Sequence, residues 1–192
     1  GVSPDGRHYY PAFPYTSYAR MDPADIADLR AYLATLPAVK GRAPDNELAF
    51  PFTIRRGVGL WKLAFLSDAA VIAVDEADPQ LVRGRALVEG AGHCGECHTP
   101  RNLAGGSETS RWLAGGPNPE GKGRIPNITP GGLDWSAGDI AYYLETGFTP
   151  EFDSVGGSMV AVQQNMAMLP ASDREAIAAY LLAVPSHASS GG

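Results

Sequence analysis

Two cysteines three positions apart, with a histidine directly behind the second, stand mid-chain as Cys94-Gly95-Glu96-Cys97-His98. Each thiol can add to one vinyl group of a haem through a thioether bond, and this is the spacing of c-type haem attachment. His98 is then held beneath the iron as proximal ligand. Two other chemistries use cysteine pairs at this spacing. A redox Cys-x-x-Cys has no need of the trailing histidine, and a zinc site wants a second pair of ligands. The whole sequence contains only these two cysteines, so the zinc reading lacks its other half and no disulfide is expected. The cofactor predicted is haem c, with one motif in this chain.

A low-spin electron-transfer haem needs a sixth ligand. Methionine raises the potential by favouring Fe(II), whereas a second histidine generally lowers it. Met159 ends the run Gly156-Gly157-Ser158-Met159, whose glycines let backbone approach a cofactor closely. It is the ligand we predict. Met166 and Met168 are rivals, but both lie nearer the start of a last helix and read equally well as core filler. His93, next to Cys94, is badly placed to reach the opposite haem face, and His187 lies in a Ser/Gly tail that reads as solvent-exposed. Asn127 and Thr129 can donate hydrogen bonds to a haem propionate, and Arg101 or Arg111 can neutralise one. Trp112, Ile128 and Tyr143 suit an apolar crevice, although such residues fill any core.

The elements that must position these residues read as short helices joined by long loops. Asp22 caps a helix with Pro23 at its first position, and Ile26, Leu29, Leu33 and Leu36 follow at helical spacing until Pro37 stops the run. Leu81 to Glu89 reads as an amphipathic helix leading into the haem motif, with Arg83, Arg85 and Glu89 on its polar side. Ser136 caps a helix through Thr146 that turns Ile140, Tyr143 and Leu144 inward. A loop then reaches Met159. The last helix opens at 169–173, carries Ile177, Leu181 and Leu182, and ends at Pro185. Gly1 to Tyr18 reads as irregular, and Leu60 to Leu66 is an apolar burst too short to span a bilayer. That burst reads as packing between domains, with docking to a membrane surface or a partner as the rival.

The chain repeats itself. Asp25 with Tyr32-Leu33 matches Asp173 with Tyr180-Leu181, and Gly1-Val2-Ser3-Pro4-Asp5 matches Gly147-Phe148-Thr149-Pro150-Glu151. In the second copy the haem motif lies about fifty residues ahead of Gly147, so the corresponding motif of the first falls before Gly1. The predicted organisation is therefore the C-terminal portion of a first domain (1–39), a linker (40–74), a complete domain (75–185) and a flexible tail (186–192). The fold class expected is all-α, a small haem-binding domain with long loops plus part of a related second one.

Composition narrows the function classes. The net charge of −6 offers no basic stripe for nucleic acid or an anionic membrane, and 23 Gly with 16 Pro suit ordered loops around a cofactor. Covalent haem attachment in bacteria takes place outside the cytoplasmic membrane, which predicts a periplasmic location. Membrane association is expected only through segments outside this sequence or through partners. No Ser/His/Asp arrangement, phosphate-binding loop or carboxylate pair rises above chance.

Several stretches carry a resemblance. They are Gly92-His93-Cys94-Gly95-Glu96-Cys97-His98-Thr99-Pro100-Arg101-Asn102, Ile125-Pro126-Asn127-Ile128-Thr129-Pro130, Gly156-Gly157-Ser158-Met159, the run from Tyr10 to Met21, and Phe50-Pro51-Phe52. Together they resemble the multihaem (dihaem or trihaem) cytochrome c subunits of bacterial membrane-associated alcohol, gluconate, sugar and aldehyde dehydrogenases. The likeness covers nearly the whole chain. It implies electron transfer from a dehydrogenase catalytic subunit towards quinone, an oxidase or another cytochrome, with no substrate chemistry of its own. A haem enzyme of peroxidase type and a gas-binding haem domain are the alternatives. The resemblance also implies a methionine ligand in the first domain. Phe13 stands opposite Met159 there and cannot ligate iron, which leaves Met21 as the ligand if a first haem exists. Otherwise Met21 is a hydrophobic staple ahead of its helix.

Overall fold

The computed structural model describes every residue except 43, 119, 120 and 189–192, so the tail expected at 186–192 is described only in part. The chain separates into two compact units, Gly1–Asp68 and Ala69–Gly192. The segment read as a linker divides between them.

In the first unit, α1 (Tyr15–Tyr18) is a single helical turn inside the stretch expected to be irregular. α2 (Pro23–Thr35) begins as predicted, with Asp22 accepting from the Ala24 N–H and Pro23 at the first position. None of its residues is buried, and Ile26, Leu29, Leu33 and Leu36 lie on an exposed stripe. α3 (Arg55–Phe65) takes up most of the apolar burst. Trp61 and Phe65 pack on one another at 5.2 Å, while Leu60 and Leu63 face outward.

The second unit holds the core. Asp78 caps α4 (Pro79–Arg85) by accepting from the Gln80 and Leu81 N–H groups. The helix then widens into a π-helical turn, Ala86–Ala91. α5 (Gly95–His98) is the single turn of the haem motif. A 3-10 turn (Thr109–Arg111) and a ribbon of β1 (Gly116–Pro117) with β2 (Arg124–Ile125) follow, Gly116 opposite Ile125. This ribbon is a small departure from the all-α expectation in a mostly helical unit. α6 (Ala137–Thr146) opens with a capping box of Ser136 and Asp139 and closes at Gly147, whose φ of +78° suits a residue without Cβ. α7 (Met159–Met166) occupies part of what reads in sequence as loop, and α8 (Ala171–Ala183) is the last helix.

α8 packs on both α4 and α6. Where α4 meets α8, a Cβ on Gly84 would lie 2.0 Å from the Ala176 carbonyl oxygen, so glycine there lets the two backbones touch. Around this crossing Val88, Leu113, Ile140, Leu144, Ile177, Tyr180, Leu181 and Val184 form one buried cluster. Each such side chain contributes roughly 1.5–3 kcal/mol by leaving water. Two expectations are corrected here. Leu182 points outward and Tyr180 takes the inner position. Glu89, assigned to a polar face, is 1% exposed, because the π-helical turn carries it inward.

The repeat is present in the backbone as well as the letters. In the first loop Ser3 N–H donates to Arg7 O, Gly6 to Ser3 O and Tyr9 to Gly1 O, while Arg7 N–H donates to Ser3 Oγ. In the second, Thr149 donates to Asp153 O, Phe152 to Thr149 O, Val155 to Gly147 O and Asp153 to Thr149 Oγ1. Each loop closes on one antiparallel bridge, Val2 to His8 and Phe148 to Ser154. Gly6 and Phe152 share the same left-handed position, φ +82° and +62°.

Candidate haem site

α5 places the Cys94 and Cys97 side chains one turn apart, Cys94 half-buried and Cys97 exposed, with His98 directly behind. The turn holds itself by a Cys94 O to His98 N–H bond of 3.0 Å and is tied back to the π-helical turn by Cys94 N–H donating to Val88 O. Desolvation pushes the Cys94 thiol up to about 11. Close approach explains Gly95 inside the motif. A Cβ there would stand 1.9 Å from Cη2 of Trp112, so the indole lies against the motif's own backbone.

His98 is oriented from the other side. Its Nδ1 lies 2.9 Å from the Pro126 carbonyl oxygen. A carbonyl only accepts, so Nδ1 carries the proton and Nε2 keeps its lone pair, the tautomer a proximal ligand requires. Burial lowers the pKa of His98 and so favours the neutral ring, outweighing the hydrogen bond to Pro126 O, which acts the other way. The loop that presents Pro126 depends on Gly115, at φ +72°. Its N–H donates to His98 O at 2.7 Å, and a Cβ there would fall 2.6 Å from Asn127 N and Ile125 O. Leu113, Thr99 and Ile128 complete the frame: Leu113 N–H donates to Thr99 Oγ1, and Ile128 N–H donates to Leu113 O.

These residues fit a haem c. Two thiols on one helical turn and an imidazole with its tautomer fixed are the donor set for covalent attachment and proximal ligation. The spacing of Cys94 and Cys97 ahead of His98 supports one haem c site.

Behind the motif lies a buried polar chain that sequence reasoning missed. Trp112 Nε1 donates to Tyr180 Oη at 3.1 Å, and Tyr180 Oη donates to Glu89 Oε1 at 2.6 Å. Glu89 also accepts from the N–H groups of Val71 (2.7 Å) and Ile72 (3.0 Å). Burial, then the charge of Glu89, raises the Tyr180 phenol far above its ordinary range. The available signal was the recurrence of Tyr at the repeated position, because a buried phenol needs a polar partner.

The other predicted residues divide. Met159 is half-buried at the first turn of α7, just after Gly157 with φ +60°. Met166 packs on the core cluster and Met168 is exposed. Ile128 and Tyr143 also pack on the cluster, Tyr143 with its ring 5.2 Å from that of Trp135. Arg101 is engaged by Glu96, through both side chain and carbonyl, and by Gly105 O. Arg111 pairs with Glu108 at 3.5 Å. Asn127 Nδ2 donates to His187 O, and Thr129 Oγ1 donates to Asn127 Oδ1 while accepting from His187 N–H. These side chains thus clasp the backbone at His187, which is half-buried rather than solvent-exposed. Met21 lies half-buried in the first unit, ahead of α2.

No family model matches the chain. Among curated proteins, the chain is 59% identical over 186 residues to a "diheme cytochrome c-type" of Cereibacter sphaeroides, covering 97% of this chain and 62% of that protein. It is 39% identical over 197 residues to the fructose dehydrogenase cytochrome subunit of Gluconobacter japonicus, covering all of this chain and 40% of the subunit. To the gluconate 2-dehydrogenase cytochrome c subunit of Pantoea cypripedii it is 33% identical over 193 residues, 94% of this chain and 44% of that one. The chain therefore spans less than two thirds of the length of each. The similarity is to cytochrome c subunits of bacterial dehydrogenases, and it runs through the haem motif. Among the described residues no helix is long and apolar enough to cross a membrane.

Proposed function

We propose that this chain is an electron-transfer cytochrome c of the bacterial periplasm. Cys94, Cys97 and His98 would hold haem c, with Met159 as the further ligand to its iron, and the group would supply one-electron redox chemistry. The chain's own work is to bind the haem, fix His98 and keep water from the buried side. The observation that carries the reading is the Pro126 carbonyl holding His98 Nδ1, since it leaves Nε2 free for iron. Met159 is favoured over its rivals because Met166 is committed to the core and Met168 faces solvent. The names of the relatives support a dehydrogenase catalytic subunit as electron donor, and the acceptor we propose is quinone, an oxidase or another cytochrome.

Residues 1–39 are then the C-terminal portion of a first cytochrome-like domain, and Met21 is a ligand there only if that domain carries a haem; otherwise it staples the start of α2. The repeated loop and the relative named as a dihaem protein support this.

The test is the ferric spectrum of the haem-loaded protein and of Met159→Ala. A low-spin six-coordinate haem that turns high-spin in the variant, and only then binds carbon monoxide when reduced, is the expected result. A wild-type haem already high-spin would overturn Met159 and favour the haem-enzyme or gas-binding reading, and a variant that stays low-spin would overturn Met159 in favour of another sixth ligand.

A further inference from the structure

The chain from Glu89 through Tyr180 to Trp112 has no part in holding the haem directly, yet it ends on the attachment turn. Its three side chains are all buried, with exposures of 1%, 0% and 4%. The Glu89 carboxylate accepts from three donors: the Val71 and Ile72 N–H groups and the Tyr180 hydroxyl. Acceptance from three donors is what an ionised carboxylate does. A buried carboxylate is costly to leave in a core without a role, and hydrophobic replacements of buried charges are often neutral or stabilising. Arg85 lies near enough to feel the Glu89 charge, and its guanidinium is also hydrogen-bonded to both carboxylate oxygens of Glu76, at 2.6 and 3.0 Å.

Position gives this chain its meaning. Glu89 lies in the π-helical turn that runs into Cys94, and π-turns inside helices recur at functional sites. The Tyr180 hydroxyl bridges the carboxylate to the indole, and the indole rests on Gly95 between the two cysteines, where no Cβ would fit. A shift of the carboxylate is thus passed through two hydrogen bonds to the backbone that carries both thioethers and His98. We infer that Glu89 is a positioning residue for the haem, acting through Tyr180 and Trp112, and that its buried charge holds the haem potential below the value a neutral residue would give. The sign follows from Coulomb's law, because a fixed negative charge stabilises the ferric over the ferrous state and is poorly screened in a buried setting.

The inference rests on the haem reading, so the experiment begins with covalent haem in the wild-type chain by pyridine haemochrome. Its absence would sink that reading and this inference with it. With haem present, midpoint potentials and ferric low-spin resonance spectra are compared for wild type, Glu89→Gln and Tyr180→Phe. Glu89→Gln keeps an acceptor oxygen and loses the charge, so its potential should shift upward. Tyr180→Phe keeps the charge and cuts the relay, so its spectrum should shift or broaden while its potential moves less. A merely structural role would lower the melting temperature and leave potential and spectrum in place. That result in Glu89→Gln would overturn the electrostatic claim, and the same result in Tyr180→Phe would overturn the positioning claim. Should Glu89→Gln fail to mature with haem, the Tyr180→Phe spectrum alone decides: unchanged, it overturns the inference.

Discussion

The helix at 23–35 and the helix at 171–183 are two copies of one pattern with opposite fates. Leu29, Tyr32, Leu33 and Leu36 align with Ile177, Tyr180, Leu181 and Val184. The first set is exposed and the second is the heart of the core; Tyr32 is 62% exposed and Tyr180 not at all. The loops ahead of them match bond for bond, so the difference does not arise in local structure. It arises from what stands opposite. α8 meets α4 across Gly84 and α6 on its other flank, and its apolar face is covered there. Helix formation follows from capping and spacing, whereas burial follows from a partner surface.

The comparison predicts a wide gap in truncation energies. Tyr180→Ala should cost about 3–5 kcal/mol, the range for a buried aromatic ring, because it opens a cavity and leaves Trp112 and Glu89 each short of a partner. Tyr32→Ala in this chain should cost under about 0.5 kcal/mol, as for other exposed positions. Denaturant unfolding of the two variants measures the gap. Equal costs would mean that the stripe on α2 is covered in solution.

Caps should behave alike where burial does not, since they are local. Ser136→Ala loses the side-chain bond to the Asp139 N–H, and Asp22→Ala loses the bond to the Ala24 N–H. Each should lower stability by about 1 kcal/mol, read from the shift in denaturation midpoint. A smaller loss at Asp22 would show that α2 frays without an opposing surface.

The smallest effect concerns pH. The Arg83 guanidinium, bonded to Asp173 at 2.7 and 2.8 Å, holds that carboxyl below the usual aspartate range. A depressed carboxyl adds stability that is complete above its unfolded pKa and is lost as pH falls through the folded one. Asp173→Asn should therefore flatten the acid side of the stability curve, below pH about 4, and change little at neutral pH beyond the loss of the pair. The pair is solvent-screened, so the change should stay below about 1 kcal/mol.

Much of this was legible in the sequence because the signals are local. Asp22-Pro23, Ser136 ahead of its helix, and the Cys94 to His98 spacing each act within one helical turn. What was not legible depends on distant partners. Glu89 reads as a polar-face residue because its partners lie 17, 18 and 91 positions away, at Ile72, Val71 and Tyr180. The Pro126 carbonyl on His98, 28 positions off, leaves no side-chain signature at all. α7 was missed because Gly156 and Gly157 read as a loop that would run on through Met159, whereas the helix starts at Met159 itself. Asn127 and Thr129 suggested a propionate because both are donors, but donor chemistry does not say which acceptor is nearest. Here it is the backbone at His187.

The central claim is a covalent haem on Cys94 and Cys97 beneath His98. Haem per chain, by pyridine haemochrome against protein mass after maturation in a bacterial host that attaches haem c, tests it most directly. The expected result is one covalent haem per chain, lost when both cysteines are replaced by alanine. A wild-type chain that folds and carries no covalent haem would contradict it.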